Sequence, residues 1–173
     1  MKQFLATLIF LTIFLGSAGS VWAQGFDKGL KAYQSGDFAT AMKEWKLLAE
    51  QGNVDAQFNL GVMYENGQGV SKDSTEAMKW YRKAAEQGYS SAQRTLGFMY
   101  DKGKGVTQDY AEAVKWYRKA AEQGDEFAQN ILGVMYQKGE DVTQDYAEAV
   151  KWWRKSADQG NALAQYSLGN RYY

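Results

Sequence analysis

The chain has 173 residues, with 20 basic and 20 acidic side chains and with no His, Cys or Pro. Without His or Cys, serine triads, imidazole general bases, thiol catalysis and nearly all zinc sites are excluded. The balanced charge gives no reason to expect a nucleic-acid partner. The absence of Pro suits continuous helices that are joined by Gly-based turns.

The first 23 residues predict a cleavable signal peptide. Basic Lys2 precedes an apolar run from Phe4 to Leu15, and small residues follow it. Val21 and Ala23 occupy the −3 and −1 positions of a small-residue cleavage site, so the cut is expected after Ala23. The apolar run has 12 residues, whereas a membrane span needs about 20, which makes an uncleaved anchor the less favoured alternative. We expect a periplasmic or secreted chain of 150 residues with no integral membrane span.

A repeat of 36 residues fills most of the remaining chain. The tetrapeptide AEQG and its variant ADQG mark the period, at residues 49–52, 85–88, 121–124 and 157–160. The pentapeptide LGVMY and its variants keep the same spacing, starting at residues 60, 96, 132 and 168. Segments 109–124 and 145–160 are identical at 13 of 16 positions. A fixed period of this length is typical of stacked two-helix repeats.

The first helix of each unit is predicted from apolar spacing. Ala56, Leu60, Met63 and Tyr64 fall at i, i+4, i+7 and i+8, which places them on one face of a helix. Gly67 and its equivalents follow directly, where a left-handed cap needs a residue without Cβ.

The second helix is predicted to begin at Asp73 and its equivalents Asp109 and Asp145. Each Asp is followed three residues later by a Glu, a spacing that resembles a capping box. Trp80 and Tyr81 are expected to supply most of the buried area, and the helix is expected to stop at Gly88.

The fixed positions read A-Q-x-x-L-G-x-M-Y-x-x-G-x-G-V-x-x-D-x-x-x-A-x-K-W-Y-R-K-A-A-E-Q-G. This pattern closely resembles the Sel-one-like repeat family, a branch of the tetratricopeptide-like α-solenoids, over about residues 53–173. The resemblance implies an all-α fold, a right-handed α-solenoid of antiparallel helix-turn-helix repeats. Two departures are Asp141 in place of the second loop Gly, and a lone first helix at the end of the sequence, which is either a cap or a sign of truncation.

The predicted organisation follows the period. The signal peptide covers 1–23, and residues 24–52 resemble an ordinary tetratricopeptide unit with a shorter turn, which would serve as an N-terminal cap. The three full repeats and the C-terminal partial repeat are expected at 53–88, 89–124, 125–160 and 161–173.

The resemblance implies a protein-interaction role, since such proteins act as adaptors in multiprotein assemblies, in bacteria often in the cell envelope. A cysteine-rich secreted branch is associated with β-lactams, but this chain has no Cys. No cofactor, metal or catalytic residue is predicted.

The residues give less support to three chemical alternatives. The Gly-containing loops, such as DKGKGVTQD, match neither a calcium loop nor a phosphate loop in full. The triplet Lys79, Arg82 and Lys83 recurs and would suit anionic polymers, but Glu76 and Glu86 favour local pairing instead. Two carboxylates about 5–9 Å apart would suffice for a glycoside hydrolase, yet no acidic pair departs from the repeat. A small envelope hydrolase is therefore the least favoured function.

We expect binding specificity to lie at the positions whose residues differ between the repeats. Three sets of first-helix positions vary and lie within about 60° of each other, roughly opposite the buried face. They are Asp55, Ser91, Phe127 and Leu163; Phe58, Arg94, Asn130 and Tyr166; and Val62, Phe98, Val134 and Asn170. We predict a partner-binding groove on this concave face, formed by Phe58, Val62, Arg94, Phe98, Phe127, Asn130, Val134 and Tyr166. The alternative is that these side chains pack against the next repeat.

The sequence thus favours an envelope scaffold that binds a protein or peptide. A factor that binds peptidoglycan or another cell-wall glycan is the alternative, because grooves lined with aromatic residues also suit sugars.

Overall fold

The computed structural model describes residues 22–139 and 142–169, and within these ranges the chain forms nine α-helices and no strand. The chain divides into two compact units, Met1–Lys72 and Asp73–Tyr173. The first unit contains α1 over 22–34, α2 at Phe38–Glu50 and α3 at Val54–Asn66. The second contains α4 at Ser74–Glu86, α5 at Ser90–Lys102, α6 at Tyr110–Glu122, α7 at Glu126–Lys138, α8 at Tyr146–Asp158 and α9 at Ala162–Gly169.

Consecutive helices pack against each other within each unit, α2 on α3 in the first and α4 through α9 in sequence in the second. This arrangement confirms the predicted all-α solenoid class of the tetratricopeptide-like type. No helix in the described ranges has the length and apolar character needed to cross a membrane. Most of the predicted signal peptide, the substituted loop position Asp141 and the variable position Asn170 lie outside the described residues.

The predicted second-helix caps are confirmed. Asp73 Oδ1 accepts hydrogen bonds from the backbone N–H groups of Thr75 and Glu76, both at 2.9 Å. Asp109 and Asp145 make the equivalent bond one and two repeats later, at 3.0 Å. These bonds satisfy N–H groups that have no partner within the helix, which is why each second helix begins where it does.

Both first and second helices end at a Gly with positive φ. Gly103 caps α5 in the left-handed region, with φ of 63°, as predicted for the end of a first helix. Gly88, with φ of 92°, follows α4, and the next residue, Tyr89, donates its backbone N–H to Ala84 O at 3.1 Å. That bond is typical of a Schellman motif, and it reverses the chain within two residues.

A ring-on-glycine contact forms the core between paired helices. An added Cβ at Gly97 on α5 would lie 2.7 Å from Cδ1 of Tyr117 on α6. Gly133 has the same relation to Trp153, and in the first unit Gly29 has it to Trp45. The three rings are at most 2% exposed. Burial of a large apolar side chain contributes roughly 1.5–3 kcal/mol, so this contact is a main source of stability in each helix pair.

In the second unit, a buried Gln on α5 and another on α7 join these first helices to both neighbouring second helices. Gln93 on α5 donates its Nε2 to the backbone oxygen of Ala85 at 3.1 Å, and its Oε1 accepts from Gln123 Nε2 at 2.6 Å. Gln129 repeats the arrangement with Ala121 and Gln159, at 3.0 Å and 2.8 Å. Gln93 and Gln129 of the repeat motif therefore form polar joints, a role that the repeat pattern alone does not predict.

The first unit departs from the repeat at its beginning. Residues 35–37 join α1 to α2, whereas residues 103–109 join α5 to α6. Phe26 stacks on Trp45 with ring centroids 5.8 Å apart, and Tyr33 lies 5.4 Å from the same ring. Trp45 Nε1 donates to Phe26 O at 3.3 Å. These aromatic contacts hold α1 against α2.

Candidate interaction surface

The predicted groove residues fall on first helices in both units. In the first unit, Phe58 and Val62 are half-buried on α3. In the second unit, three aromatic side chains are exposed, at 43% for Phe98 on α5, 51% for Phe127 on α7 and 69% for Tyr166 on α9. The other three are half-buried, namely Arg94, Asn130 and Val134.

Arg94 bridges α5 to the beginning of α7. Its Nε lies 3.0 Å from Asp125 Oδ2, and its guanidinium carbon lies 5.4 Å from the centroid of the Phe127 ring. Asp125 also caps α7 by accepting from the backbone N–H of Ala128 at 2.8 Å. Arg94 is therefore held by an ion pair and by a cation–π contact, and its charge is matched within the chain.

A cavity of about 220 Å³ lies further along the same two helices. Its lining consists of Asp101 and Lys102 from the end of α5, and Asn130, Ile131, Val134, Met135 and Lys138 from α7. Phe98 precedes Asp101 by three residues, and so lies on the same side of α5. Small-molecule pockets usually measure about 300–1,000 Å³, so this cavity suits a single side chain better than a cofactor. We call Phe98, Phe127 and this cavity the α5–α7 face.

Asn130 and Val134 are predicted groove residues that line the cavity, and Val134 also contacts the core. Asn130 Oδ1 is buried, and within the described ranges it has no hydrogen-bond partner. Val134 lines the cavity but also packs against the core cluster of Ala149, Trp153 and Ala164. The packing interpretation therefore accounts for Val134, and the groove stays a prediction for the other variable positions.

The basic side chains of the second helices are paired locally. Lys79 Nζ lies 2.7 Å from Glu76 Oε2, Arg82 donates to the Tyr100 hydroxyl, and Lys83 Nζ lies 3.9 Å from the centroid of the Trp80 ring. The same contacts recur on α6. On α6 and α8, hydrogen bonds to Glu112 and Glu148 raise the pKa of Lys115 and Lys151. Local pairing, rather than a surface for anionic polymers, accounts for this stripe.

The described residues contain no group of three or more acidic side chains placed to hold a metal ion. A second cavity, of about 380 Å³, lies beside α6. Its lining has an acid at each end, Glu112 and Glu122, and between them lie Val114, Lys115, Trp116, Arg118 and Lys119. The two acids at its ends share that lining with three basic residues, so neither presents the isolated carboxylate pair that glycoside hydrolysis uses.

The Sel1 repeat model matches three consecutive segments, residues 54–89, 90–125 and 127–161. The chain is similar to a solved Sel1 repeat protein from Oxalobacter formigenes, with 38% identity and a TM-score of 0.75, over 81% of this chain and 56% of that one. It is also similar to c5321, a protective antigen of uropathogenic Escherichia coli strains, with 40% identity and a TM-score of 0.86, over 94% and 36%. Cysteine-rich protein B of Helicobacter pylori shares 26% identity at a TM-score of 0.59, over 74% and 92%.

The chain thus spans 56% and 36% of the lengths of the first two relatives. No curated protein matches the sequence. Sel1 repeat proteins generally act as scaffolds for protein–protein interactions, and the fold is typically non-catalytic. With three matched repeats and relatives of this similarity, the chain belongs to the Sel1 repeat family.

Proposed function

We propose that this chain is a scaffold of the bacterial cell envelope that binds a peptide segment of another protein on the α5–α7 face. The observation that carries the proposal is the small cavity between α5 and α7, because the exposed residue Phe98 precedes the lining residue Asp101 by about one turn of α5. Exposed aromatic side chains next to a cavity are typical of the anchors at protein interfaces.

The residues of the α5–α7 face support the binding of a partner rather than catalysis. The cavity is lined by three apolar side chains, two lysines, one aspartate and one asparagine. A chain without His or Cys has no imidazole base and no thiol nucleophile to place there. A rigid surface of packed helices can bind a partner at equilibrium with little ordering cost, because its helices are already fixed by their neighbours.

The envelope location rests on the first residues. Lys2, the apolar run and the small residues before Gln24 have the order of a secretory signal. The solved relatives with at least 26% identity are bacterial proteins. Within the described ranges no helix is suited to span a bilayer.

The test combines crosslinking with a matched pair of variants. A photo-crosslinking residue at position 98 should capture a defined protein in cells, and Phe98→Asp should remove that protein's binding. Loss of an anchor at an interface typically weakens binding by tenfold or more. Because Phe98 is 43% exposed, the melting temperature should stay within about 2 °C of the wild-type value.

Leu47→Asp is the control, since Leu47 is 56% exposed and lies on α2 in the other unit. It should leave partner binding unchanged. Equal loss of binding in both variants, or a melting temperature that falls steeply only in Phe98→Asp, contradicts the proposal.

A binding assay with purified peptidoglycan provides a further test of the ligand. Binding that requires the stem peptides fits a peptide ligand on this face. Binding to glycan strands that lack stem peptides, if it survives Phe98→Asp, contradicts the peptide-binding proposal.

A further inference from the structure

Two first helices of the second unit, α5 and α7, present a Gln and, four residues later, a Gly to the helix that follows. On α5, Gln93 Oε1 accepts from Gln123 Nε2 at 2.6 Å, and the ring of Tyr117 covers Gly97. Residues four apart lie on the same side of a helix, so one face of α5 holds both contacts. The covering helix supplies an aromatic ring and, six residues later, a side-chain amide donor.

The pair of α7 and α8 makes the same two contacts. Gln129 Oε1 accepts from Gln159 Nε2 at 2.8 Å, and the ring of Trp153 covers Gly133. The ring and the amide are again six residues apart on the covering helix. Because a Tyr ring makes the contact in one pair and a Trp ring in the other, this face accepts either aromatic side chain.

The equivalent face of α9 is exposed. Gln165 and Gly169 both lie at the surface, and no atom of the described residues lies within 4 Å of the place that a Cβ of Gly169 would occupy. Leu168 is half-buried, whereas its equivalents Leu96 and Leu132 are completely buried. No second helix follows α9 in the part of the chain that the structure describes. We call Gln165, Leu168 and Gly169 the open face of α9.

Gln165 makes the same donor bond as its buried equivalents. Its Nε2 donates to Ala157 O at 3.3 Å, as Gln93 Nε2 donates to Ala85 O at 3.1 Å. On α5, this bond leaves the carboxamide oxygen directed at the amide donor of α6. We therefore expect Gln165 to present its Oε1 to an amide donor of a helix that lies on the open face.

We propose that the open face of α9 binds an α-helix of a partner protein that carries Tyr or Trp and, six residues later, Gln. The aromatic ring lies on Gly169, and the amide donates to Gln165 Oε1. The helices that cover the same face of α5 and α7 have 13 residues each, which sets the length of the helix that fits. The open face shares no residue with the α5–α7 face, so the proposal goes beyond the proposed function.

A second copy of this chain is less suited to supply that helix. The rings of α2, α6 and α8 already cover α1, α5 and α7 within the chain. Each of these helices would have to leave its own first helix before it could cover α9 of another copy, and would lose a buried contact in doing so. A helix of a different protein has no such contact to break.

The probe for the test is a synthetic peptide with the sequence of residues 145–160, which contain α8 and Gln159. A hydrocarbon staple between positions 147 and 151, both exposed in the chain, keeps the peptide helical, since an isolated helix of this length is marginal in water. Fluorescence anisotropy should show saturable binding to the purified chain. In the peptide, Trp153→Ala should weaken binding at least tenfold, and Gln159→Leu should weaken it by about twofold to tenfold.

Two variants of the chain test the position of the peptide. Gly169→Leu puts a side chain in the place of the ring, so binding should weaken at least tenfold, while the melting temperature should stay at or above the wild-type value because the position is exposed. Leu163→Phe is the matched control. It also adds bulk to α9 at an exposed position, but it lies about 120° around the helix from Gly169. It should leave binding of the peptide unchanged.

Four outcomes would overturn the proposal. They are the absence of saturable binding, equal binding of the peptide to Gly169→Leu and to the wild type, and equal binding of the parent peptide and its Trp153→Ala variant. The fourth is a dimer of the free chain, seen by analytical ultracentrifugation, that Gly169→Leu dissociates, because the open face would then hold a second copy. The Phe98→Asp chain should bind the peptide as the wild type does, so failure of the α5–α7 proposal leaves this one standing.

Discussion

The ring of Tyr117 lies directly on the backbone of Gly97, so close that a Cβ at position 97 would be 2.7 Å from Tyr117 Cδ1. The contact joins α5 to α6 at a point where both residues are almost completely buried. On α9, at the equivalent position Gly169, no atom of the residues that the structure describes lies within 4 Å of the place that a Cβ would occupy. At this position of the repeat, an added methyl group would therefore meet a ring on α5, whereas on α9 it would meet no described atom.

Gly97→Ala is expected to destabilise the chain. The added methyl group must displace a fixed aromatic ring, which costs about 1–3 kcal/mol, and this cost exceeds the gain of about 1 kcal/mol in helix propensity. Each kcal/mol should lower the melting temperature by about 2–4 °C. Gly169→Ala, where no ring is in the way, should leave the melting temperature unchanged or raise it slightly. Thermal unfolding of the two variants side by side makes the comparison, and equal shifts would contradict the ring-on-glycine account.

These glycines show how far the sequence predicts the fold. Periodicity identified the helices, the Asp caps and the left-handed Gly caps, because each depends on residues close together in the chain. Periodicity did not reveal that the Tyr117 ring covers Gly97, since that pairing depends on the rotation of one helix against the next.

The buried Gln joint gives a second prediction. Gln93→Leu removes the bond to Ala85 O and leaves the amide of Gln123 without its acceptor. Because Gln93 is only 4% exposed, the free energy of unfolding should fall by about 1–3 kcal/mol. Gln165→Leu is the matched control, since Gln165 makes the equivalent bond to Ala157 O at 3.3 Å but is exposed. Its effect should be smaller.

The pairing itself is measured by a double-mutant cycle. Gln93→Leu, Gln123→Ala and the double variant should give a coupling energy of about 0.5–3 kcal/mol in urea unfolding. A coupling near zero would mean that the bond at 2.6 Å contributes nothing to stability.

Alkaline pH gives a third prediction. Burial raises the pKa of the Tyr117 hydroxyl well above its ordinary value of 10, the Asp101 carboxylate adds to the shift, and Arg94 opposes it. The unfolded chain therefore loses this proton before the folded chain does, so stability present below pH 10 declines as the pH rises further. The slope from one such group is about 1.4 kcal/mol per pH unit.

Tyr117→Phe keeps the ring on Gly97 and removes the hydroxyl. Urea unfolding between pH 8 and pH 11.5 should show a shallower alkaline decline in this variant than in the wild type. Tyr110→Phe controls for the loss of an exposed hydroxyl. Identical declines in wild type and Tyr117→Phe would show that Tyr117 does not contribute to the alkaline decline.

The candidate surface could be predicted only in part. Variation between repeats selected Phe98, Phe127 and Asn130, which lie on the α5–α7 face. The same variation also selected Arg94, whose partners are Asp125 and Phe127 in the next repeat. A repeat comparison detects that a position differs, but a variable residue can serve a neighbouring repeat as well as a partner. Only the contacts separate these roles.

The last prediction concerns cleavage of the predicted signal peptide. Cleavage after Ala23 removes Trp22, whose Nε1 donates to Gln51 Oε1 at 2.9 Å in an exposed contact. The stacking of Phe26 on Trp45 and the contact of Gly29 with that ring remain. The mature chain should therefore keep α1 on α2 and lose little stability, since one exposed hydrogen bond contributes at most about 1 kcal/mol. Mass spectrometry of the envelope fraction should find a chain that begins at Gln24. A chain that retains Lys2 there would favour the uncleaved anchor instead, because the apolar run would then still be attached to the repeats.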